Sequence, residues 1–322
     1  MEIKGFTYGW GARKGQLCSP EGIQSQESLF GVGINWMCLT VLLHQKTFAS
    51  TEILFDFRRT PTDKELAETI ARAHEKGVKV CLKPMVNSQD GYWRAHINFP
   101  DLSEHGKDVY WDEWFESYTA FLLHYAEIAR DSRCELFCLG CEMSGTERKE
   151  AHWRTLIAKV REIYSGPLVY NTNHGNEADV GWFDALDYIG TSAYYKVEDE
   201  PGSSKETMVE GWKQVKQRLE PLSRKFGKPL IFMEIGCRSA RGCAMMPADF
   251  NHTEFPIDEE EQANFYDSCL EVFGREEWFA GVFWWDWSPT IYHTREEARR
   301  DAGFNVHLKK AEDVLKAWYR EL

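Results

Sequence analysis

Residues 133–144, RCELFCLGCEMS, decide how the chain folds. A short apolar run, Leu136-Phe137-Cys138-Leu139, reaches Gly140 and then presents a carboxylate, Glu142. A second run, Pro229-Leu230-Ile231-Phe232-Met233, ends in the same way at Glu234 and Gly236. Apolar runs of this length bounded by Gly or Pro read as strands buried on both faces. A carboxylate at the end of such a strand is costly unless something at the tip requires it. Taken singly, each glutamate has an ordinary explanation as a solvated or ion-paired strand end. Two of them, on strands of one kind, imply a facing pair.

Working outward, residues 3–10 read as a first strand ending among the aromatics Phe6, Tyr8 and Trp10, and residues 34–41 as a second, after a helix over 20–30. Thr62, with Glu65 three residues on, forms a capping-box pattern that opens a helix stopping at Gly77, and 78–82 follow as a third strand. Residues 84–107, rich in Asn, Gly, Trp and His, are too long for a simple connection and read as a functional loop. A helix over about 109–130 leads into the fourth strand, which ends at Glu142. Strands over 168–171, 188–193, 229–233 and 281–285 alternate with helices over 146–165, 203–226 and 258–273, and a helix over 309–322 closes the chain. A second long loop covers 236–256.

Eight such strands imply parallel pairing through right-handed crossovers, an α/β chain closed into a (β/α)8 TIM barrel over residues 1–322 as one catalytic domain. Active sites of that fold gather at the C-terminal ends of the strands, where Glu142 and Glu234 fall. A facing pair of carboxylates there is the equipment of glycosidic-bond hydrolysis.

Composition narrows the partners. A net charge of −13 disfavours nucleic acid and anionic membranes, which need clustered Lys and Arg, and suits a neutral substrate. The 13 tryptophans offer flat faces for sugar rings, although core packing accounts for many of them. No run approaches the ~18 apolar residues of a membrane span, and the opening MEIKGFTYGWGARKG is not of signal-peptide type, so a cytoplasmic location is expected. Nine cysteines, an odd number in a chain that needs no staples, read as reduced thiols. On one strand Cys134 and Cys138 would share a face and Cys141 would point to the other, so they do not converge on a metal. Cys237, Cys243 and His252 match no classical zinc set, and no metal or cofactor is expected.

The segments FTYGW (6–10), KPMVN (83–87), WRAHINF (93–99), LGCEM (139–143), SAYY (192–195), FMEIG (232–236) and FWWDW (283–287) fall in order on or beside successive strand tips. In this arrangement nearly the whole chain resembles glycoside hydrolase family 113, the β-mannanases among the clan A retaining glycosidases. The resemblance implies Glu142 as general acid/base and Glu234 as nucleophile, with carboxyl groups about 5–5.5 Å apart. It implies Tyr194 as the hydroxyl beside the nucleophile and Trp284 as the aromatic floor under the sugar, with Trp285 the alternative. Trp10 would stack on a ring beyond the cleavage point, and Lys83, Trp93, Arg94 and His96 would form a polar wall. Cys141 stands where many clan members carry the Asn that binds the sugar 2-hydroxyl. Asn87, Asn171 and Asn173 are candidates to replace it. The implied substrate is a β-1,4-linked mannooligosaccharide or mannan.

Other readings remain open on residues alone. Cellulase-like or xylanase-like activity shares the backbone pattern, because substrate choice lives in loops. A Schiff-base aldolase would use Lys83, a metal-dependent amidohydrolase would want a His-x-His that FTYGW lacks, and a sugar-binding barrel would need the aromatics without the glutamates.

Overall fold

The computed structural model describes residues 1–101, 108–202, 204–251 and 254–322. Ser203, His252 and the last part of the loop expected over 84–107 lie outside them. The strands are β1 (Ile3–Tyr8), β2 (Trp36–Gln45), β3 (Ile53–Leu54), β4 (Lys79–Ser88), β5 (Leu136–Cys141), β6 (Leu168–Asn173), β7 (Tyr188–Ser192), β8 (Leu230–Ile235) and β9 (Phe279–Trp287). All pair in parallel with their neighbours except β3, which runs antiparallel to the end of β2. Pairing of β1 with both β2 and β9 closes the other eight into a TIM barrel.

The helices are α1 (Pro20–Phe30), α2 (Asp63–Glu75), α3 (Val109–Asp131), α4 (Ser144–Glu147), α5 (Glu150–Ile163), α6 (Lys205–Phe226), α7 (Glu259–Phe273), α8 (Arg295–Ala298) and α9 (Lys310–Glu321). The capping box at Thr62 and Glu65 opens α2. Gly227, at a left-handed φ of 62°, ends α6. Among the described residues no helix is long and apolar enough to cross a membrane.

Side chains alternate along each strand between the barrel interior and the helical layer. Cys38, Cys81, Leu136, Cys138, Ile231 and Phe283 fill the interior. Their neighbours Phe137, Leu139, Phe232, Val282 and Trp284 pack outward against the helices. Trp111, Trp114, Trp153, Trp182, Trp212, Trp284 and Trp287 are fully buried. At roughly 150–250 Å² of surface each, they dominate the core.

Two departures from the sequence reading shape the site. β4 continues to Ser88 instead of ending at 82, which brings Lys83 and Asn87 into the strand. It pairs with β5 only at Cys81–Leu136 and Leu82–Phe137. Beyond that point β2 is its strand partner, and Pro84 is tolerated as on a sheet edge. The helix expected over 146–165 divides into α4 and α5. Gly145 sits where a Cβ would lie 2.3 Å from the Ile97 carbonyl oxygen, so α4 packs directly on the turn that carries Arg94.

Candidate active site

Simple alternation along β8 would turn Glu234 outward, because Ile231 and Met233 face the interior. The register shifts between β8 and both neighbours at this level, pairing Ser192 with Glu234 and Ile235 with Trp284. The extra residue re-aims Glu234 into the barrel, a common use of bulges beside active sites. β5 shifts in the same way between Cys138 and Cys141, and Cys141 comes to face Glu234. Glu142 then takes a left-handed φ of 53°, uncommon for a residue with a side chain and typical of functional sites. Its amide donates to the Asn171 carbonyl at 2.7 Å, which fixes the turn.

Glu234 is 2% exposed and surrounded by donors. Lys83 Nζ donates to its Oε1 at 2.5 Å, Cys141 Sγ at 3.1 Å and Asn171 Nδ2 at 3.4 Å. The Tyr194 hydroxyl donates to Oε2 at 3.4 Å. Burial opposes ionisation of Glu234, but the charges of Lys83 and Arg94 and the bonds from Lys83 and Cys141 outweigh it and hold the carboxyl below its ordinary range. Cys141 remains a thiol, because burial and then the charge of Glu234 push it well up. Asn171 also donates to Cys141 Sγ at 3.2 Å and accepts from Ser192 Oγ at 3.3 Å.

Glu142 accepts on Oε2 from Trp93 Nε1 at 3.2 Å and pairs there with Arg94 Nη2 at 3.2 Å. Arg94 is held in turn by Asn87 Oδ1 at 2.6 Å, and its guanidinium lies 5.7 Å from the centre of the Trp10 ring. Trp10 and Trp285 rings meet at 5.0 Å. Gly236 lets the end of β8 lie against the β9 backbone, since a Cβ there would lie 2.3 Å from the Trp285 carbonyl oxygen. An oxygen of Glu142, an oxygen of Glu234 and Cys141 Sγ all lie within 4.8 Å of one another. Two side-chain cations already stand against this trio, and the sulfur is protonated, so the residues do not fit a metal ion.

The structure thus gathers Glu142, Glu234, Lys83, Asn87, Trp93, Arg94, Asn171, Tyr194, Trp10 and Trp285 around one point at the C-terminal rim. Trp284 is a correction. It points outward from β9, fully buried, with Nε1 donating to the Tyr319 hydroxyl at 2.8 Å and its ring 4.4 Å from that of Tyr266. Period-two alternation from the inward Phe283 leaves Trp285 as the one facing the axis. His96 makes no polar contact with the two glutamates among the described residues; it is exposed and set edge-on to Tyr92 and Trp93. Asn173 reaches the rim half-buried, paired in register with Ser192. The structure does not present Lys83 as a Schiff base would need, for it is fully buried and ion-paired with Glu234. Burial would lower its pKa, but the charge of Glu234, in direct contact, raises it well above the ordinary value and favours the ammonium.

Two groups escaped the sequence reading. Asp286 follows Trp285 at the tip of β9, and burial together with the like charge of Glu234 pushes its carboxyl up to about 7. His174, just beyond β6, lies where the charge of Glu142 acts on it. A carboxylate one step past a strand-tip tryptophan was a legible signal for the first; an isolated histidine in a loop gave none for the second.

No curated protein matches the chain. The model of glycoside hydrolase family 113 matches residues 6–309. Among solved structures, the complex of a family 113 β-1,4-mannanase is 38% identical, covers 100% of both chains and superposes with a TM-score of 0.91. The family 113 β-mannanase of Alicyclobacillus acidocaldarius, solved in complex with ManMIm, is 36% identical over 99% of this chain and 97% of its own, with a TM-score of 0.90. A β-glucuronidase from Faecalibacterium prausnitzii, at 13% identity and a TM-score of 0.64, shares the fold alone. With a closed barrel, two carboxylates at its C-terminal rim and a family match over nearly its whole length, this chain belongs to glycoside hydrolase family 113 and is a glycosidase.

Proposed function

We propose that the chain is a retaining β-mannanase that cleaves β-1,4-linked mannooligosaccharides or mannan by double displacement, as one catalytic domain. The observation that carries the reading is the approach of Glu142 and Glu234, oxygen to oxygen within 4.8 Å. Inverting enzymes hold their carboxyl groups roughly 6.5–9.5 Å apart to admit a water, and retaining ones about 5–5.5 Å. Glu234 is the nucleophile, kept ionised by Lys83 and Arg94. Among the described residues its Oε2 carries a single long contact, from Tyr194, and it is the oxygen that attacks the anomeric carbon. Glu142 Oε2 is occupied by Trp93 and Arg94, which leaves Oε1 to deliver the proton to the leaving oxygen. In the second step the same oxygen withdraws a proton from water as it displaces Glu234. The sugar at the cleavage point lies on Trp285, with Trp10 beyond it.

Cys141, Asn171 and Asn87 are the polar groups around the position where many clan members carry Asn, and they are the candidates to handle the axial 2-hydroxyl of mannose. A site that hydrogen-bonds one epimer leaves buried groups unpaired with the other. Mannooligosaccharides are therefore expected to be cleaved with kcat/KM at least ~100-fold above cello-oligosaccharides of equal length, a difference of about 2.7 kcal/mol in barrier. Proton NMR of the first-formed product should show the β-anomer. An α-anomer first, or equal rates on the two series, would overturn the mechanism or the substrate respectively. All nine cysteines are free thiols, which supports a reducing, cytoplasmic setting.

A further inference from the structure

The segment 142–147 carries the candidate acid at one end and another buried carboxylate, Glu147, at the other. Glu147 is 4% exposed, and the chemistry above makes no use of it. It closes α4 and lies against β6, along which side chains alternate in direction. Asn171 points inward to Glu234, whereas Tyr170 and Thr172 point outward. Both of those hydroxyls donate to Glu147 Oε1, at 2.9 Å from Tyr170 and 2.7 Å from Thr172. The Tyr170 oxygen in turn accepts from the amide of Met143 at 3.1 Å, one residue past Glu142.

We propose that Glu147, acting through Tyr170, is a positioning residue that sets the carboxyl group of Glu142 for proton transfer. The inference rests on the acid role given to Glu142 above and extends it to a side chain outside the substrate's reach. The backbone needs such support. Glu142 holds a left-handed φ of 53°, a conformation that persists only where its surroundings over-determine it. The outer and inner faces of β6 share that task. The Asn171 carbonyl accepts from the Glu142 amide at 2.7 Å, and the Tyr170 hydroxyl accepts from the next amide. With its proton committed to Glu147, that hydroxyl turns its lone pairs to Met143. The phenol is held in place, its ring 5.0 Å from that of Trp153 and 4.9 Å from that of Trp182. The same two indoles donate to the carbonyls of Thr146 and Glu147 at 3.1 Å each, anchoring the end of α4. Gly140 completes the fit, since a Cβ there would lie 2.5 Å from Met143 Cε and 3.2 Å from Tyr170 Cε2. A carboxyl group is costly at this place. Burial, opposed by the bonds from Thr172 and Tyr170 and reinforced by the charges of Asp179 and Glu177, pushes it up to about 7. An apolar side chain would avoid that penalty but could not orient the phenol.

The test compares a leaving group that needs a proton with one that does not. Cleavage of mannopentaose requires Glu142 to protonate the departing oxygen, whereas 2,4-dinitrophenyl β-mannobioside releases an anion that is stable at neutral pH. In Y170F, which keeps the ring and deletes the relay, the ratio of kcat/KM on mannopentaose to that on the aryl glycoside should fall by about tenfold, the scale of one buried hydrogen bond. E147A should lower the ratio by a similar factor, and E147Q, which still accepts from Tyr170, should stay within about threefold of the parent. The double variant E147A/Y170F should fall no further than either alone, because both act through one path. Y170F carries the test by itself if E147A fails to fold. A ratio in Y170F within about twofold of the parent, through no loss or through equal loss on both substrates, would overturn the positioning role and leave the mannanase reading standing. If the parent enzyme cleaves neither mannoside, the reading beneath it fails, and this inference with it.

Discussion

Replacing Lys83 with Met removes the cation from a buried pair while keeping most of its volume. Lys83 is 0% exposed, and its ammonium lies 2.5 Å from Glu234 Oε1. At an effective dielectric of about 20, unit charges that close attract by roughly 6–7 kcal/mol, part of which offsets the cost of burying both groups. Loss of such a partner raises a carboxyl pKa by about 1–3 and costs about 3–5 kcal/mol of stability when one charge is left buried. In the parent, Glu234 titrates below its ordinary value, so its stabilisation is complete above the unfolded-chain pKa of about 4.3 and is lost as pH falls through the folded value. In K83M the sign reverses. Burial then dominates, the folded pKa rises above the unfolded one, and the charged carboxylate destabilises the fold at neutral pH but not in acid. Urea midpoints at several pH values should therefore show the deficit of K83M to be largest near pH 7–8 and smallest near pH 4. The acid limb of kcat/KM on an aryl mannoside should move upward by about one to three pH units. An unmoved acid limb, with a stability loss independent of pH, would refute the role given to Lys83.

E234A should lose turnover by at least ~10⁴-fold while its circular dichroism is unchanged, and azide should restore cleavage of an activated glycoside by occupying the vacated nucleophile position. Retained activity would move the nucleophile elsewhere. W285A should lower kcat/KM by roughly 100-fold, whereas W284F should cost about 1–3 kcal/mol of stability, with turnover nearly unaffected. The reverse pattern would restore Trp284 as the sugar floor. Serine at each cysteine other than Cys141 should leave kcat within about threefold, while C141A, by removing a donor to Glu234, should lower it by about tenfold. Zinc co-purifying stoichiometrically, with activity lost on chelation, would contradict this.

The barrel was legible because each strand carries a short apolar run and each helix a period or a cap, as at Thr62 and Glu65. The two glutamates were legible because a charge at the end of a buried strand demands a reason. Less visible was how they come to point inward. The bulges at Glu234 and Cys141 arise from pairing with neighbouring strands, a tertiary effect that alternation within one strand cannot carry. The same limit hid the reach of β4, since Pro84 reads as a strand breaker until the edge-like position past Leu82 is known. The choice between Trp284 and Trp285 was decidable in principle, because FWWDW alternates from Phe283, but only once the inward residue is fixed by the barrel core. His174 needed the third dimension, for its meaning lies in neighbours far away in sequence, whereas Asp286 was readable one step past a strand-tip tryptophan.

The division of the tryptophans between core and rim makes the protein its own optical reporter. Seven of the 13 are fully buried and shielded from a water-borne quencher such as acrylamide. The half-buried Trp10 and Trp285 and the 43% exposed Trp93 line the cleft, whereas Trp278 just before β9 and Trp318 on α9 are reachable elsewhere. Quenchable emission therefore comes chiefly from these five, and a bound oligosaccharide should shield three of them. With Trp278 and Trp318 replaced by Phe, the fall in the Stern–Volmer constant on adding mannopentaose to E234A would read occupancy of the cleft directly, without turnover or a labelled ligand.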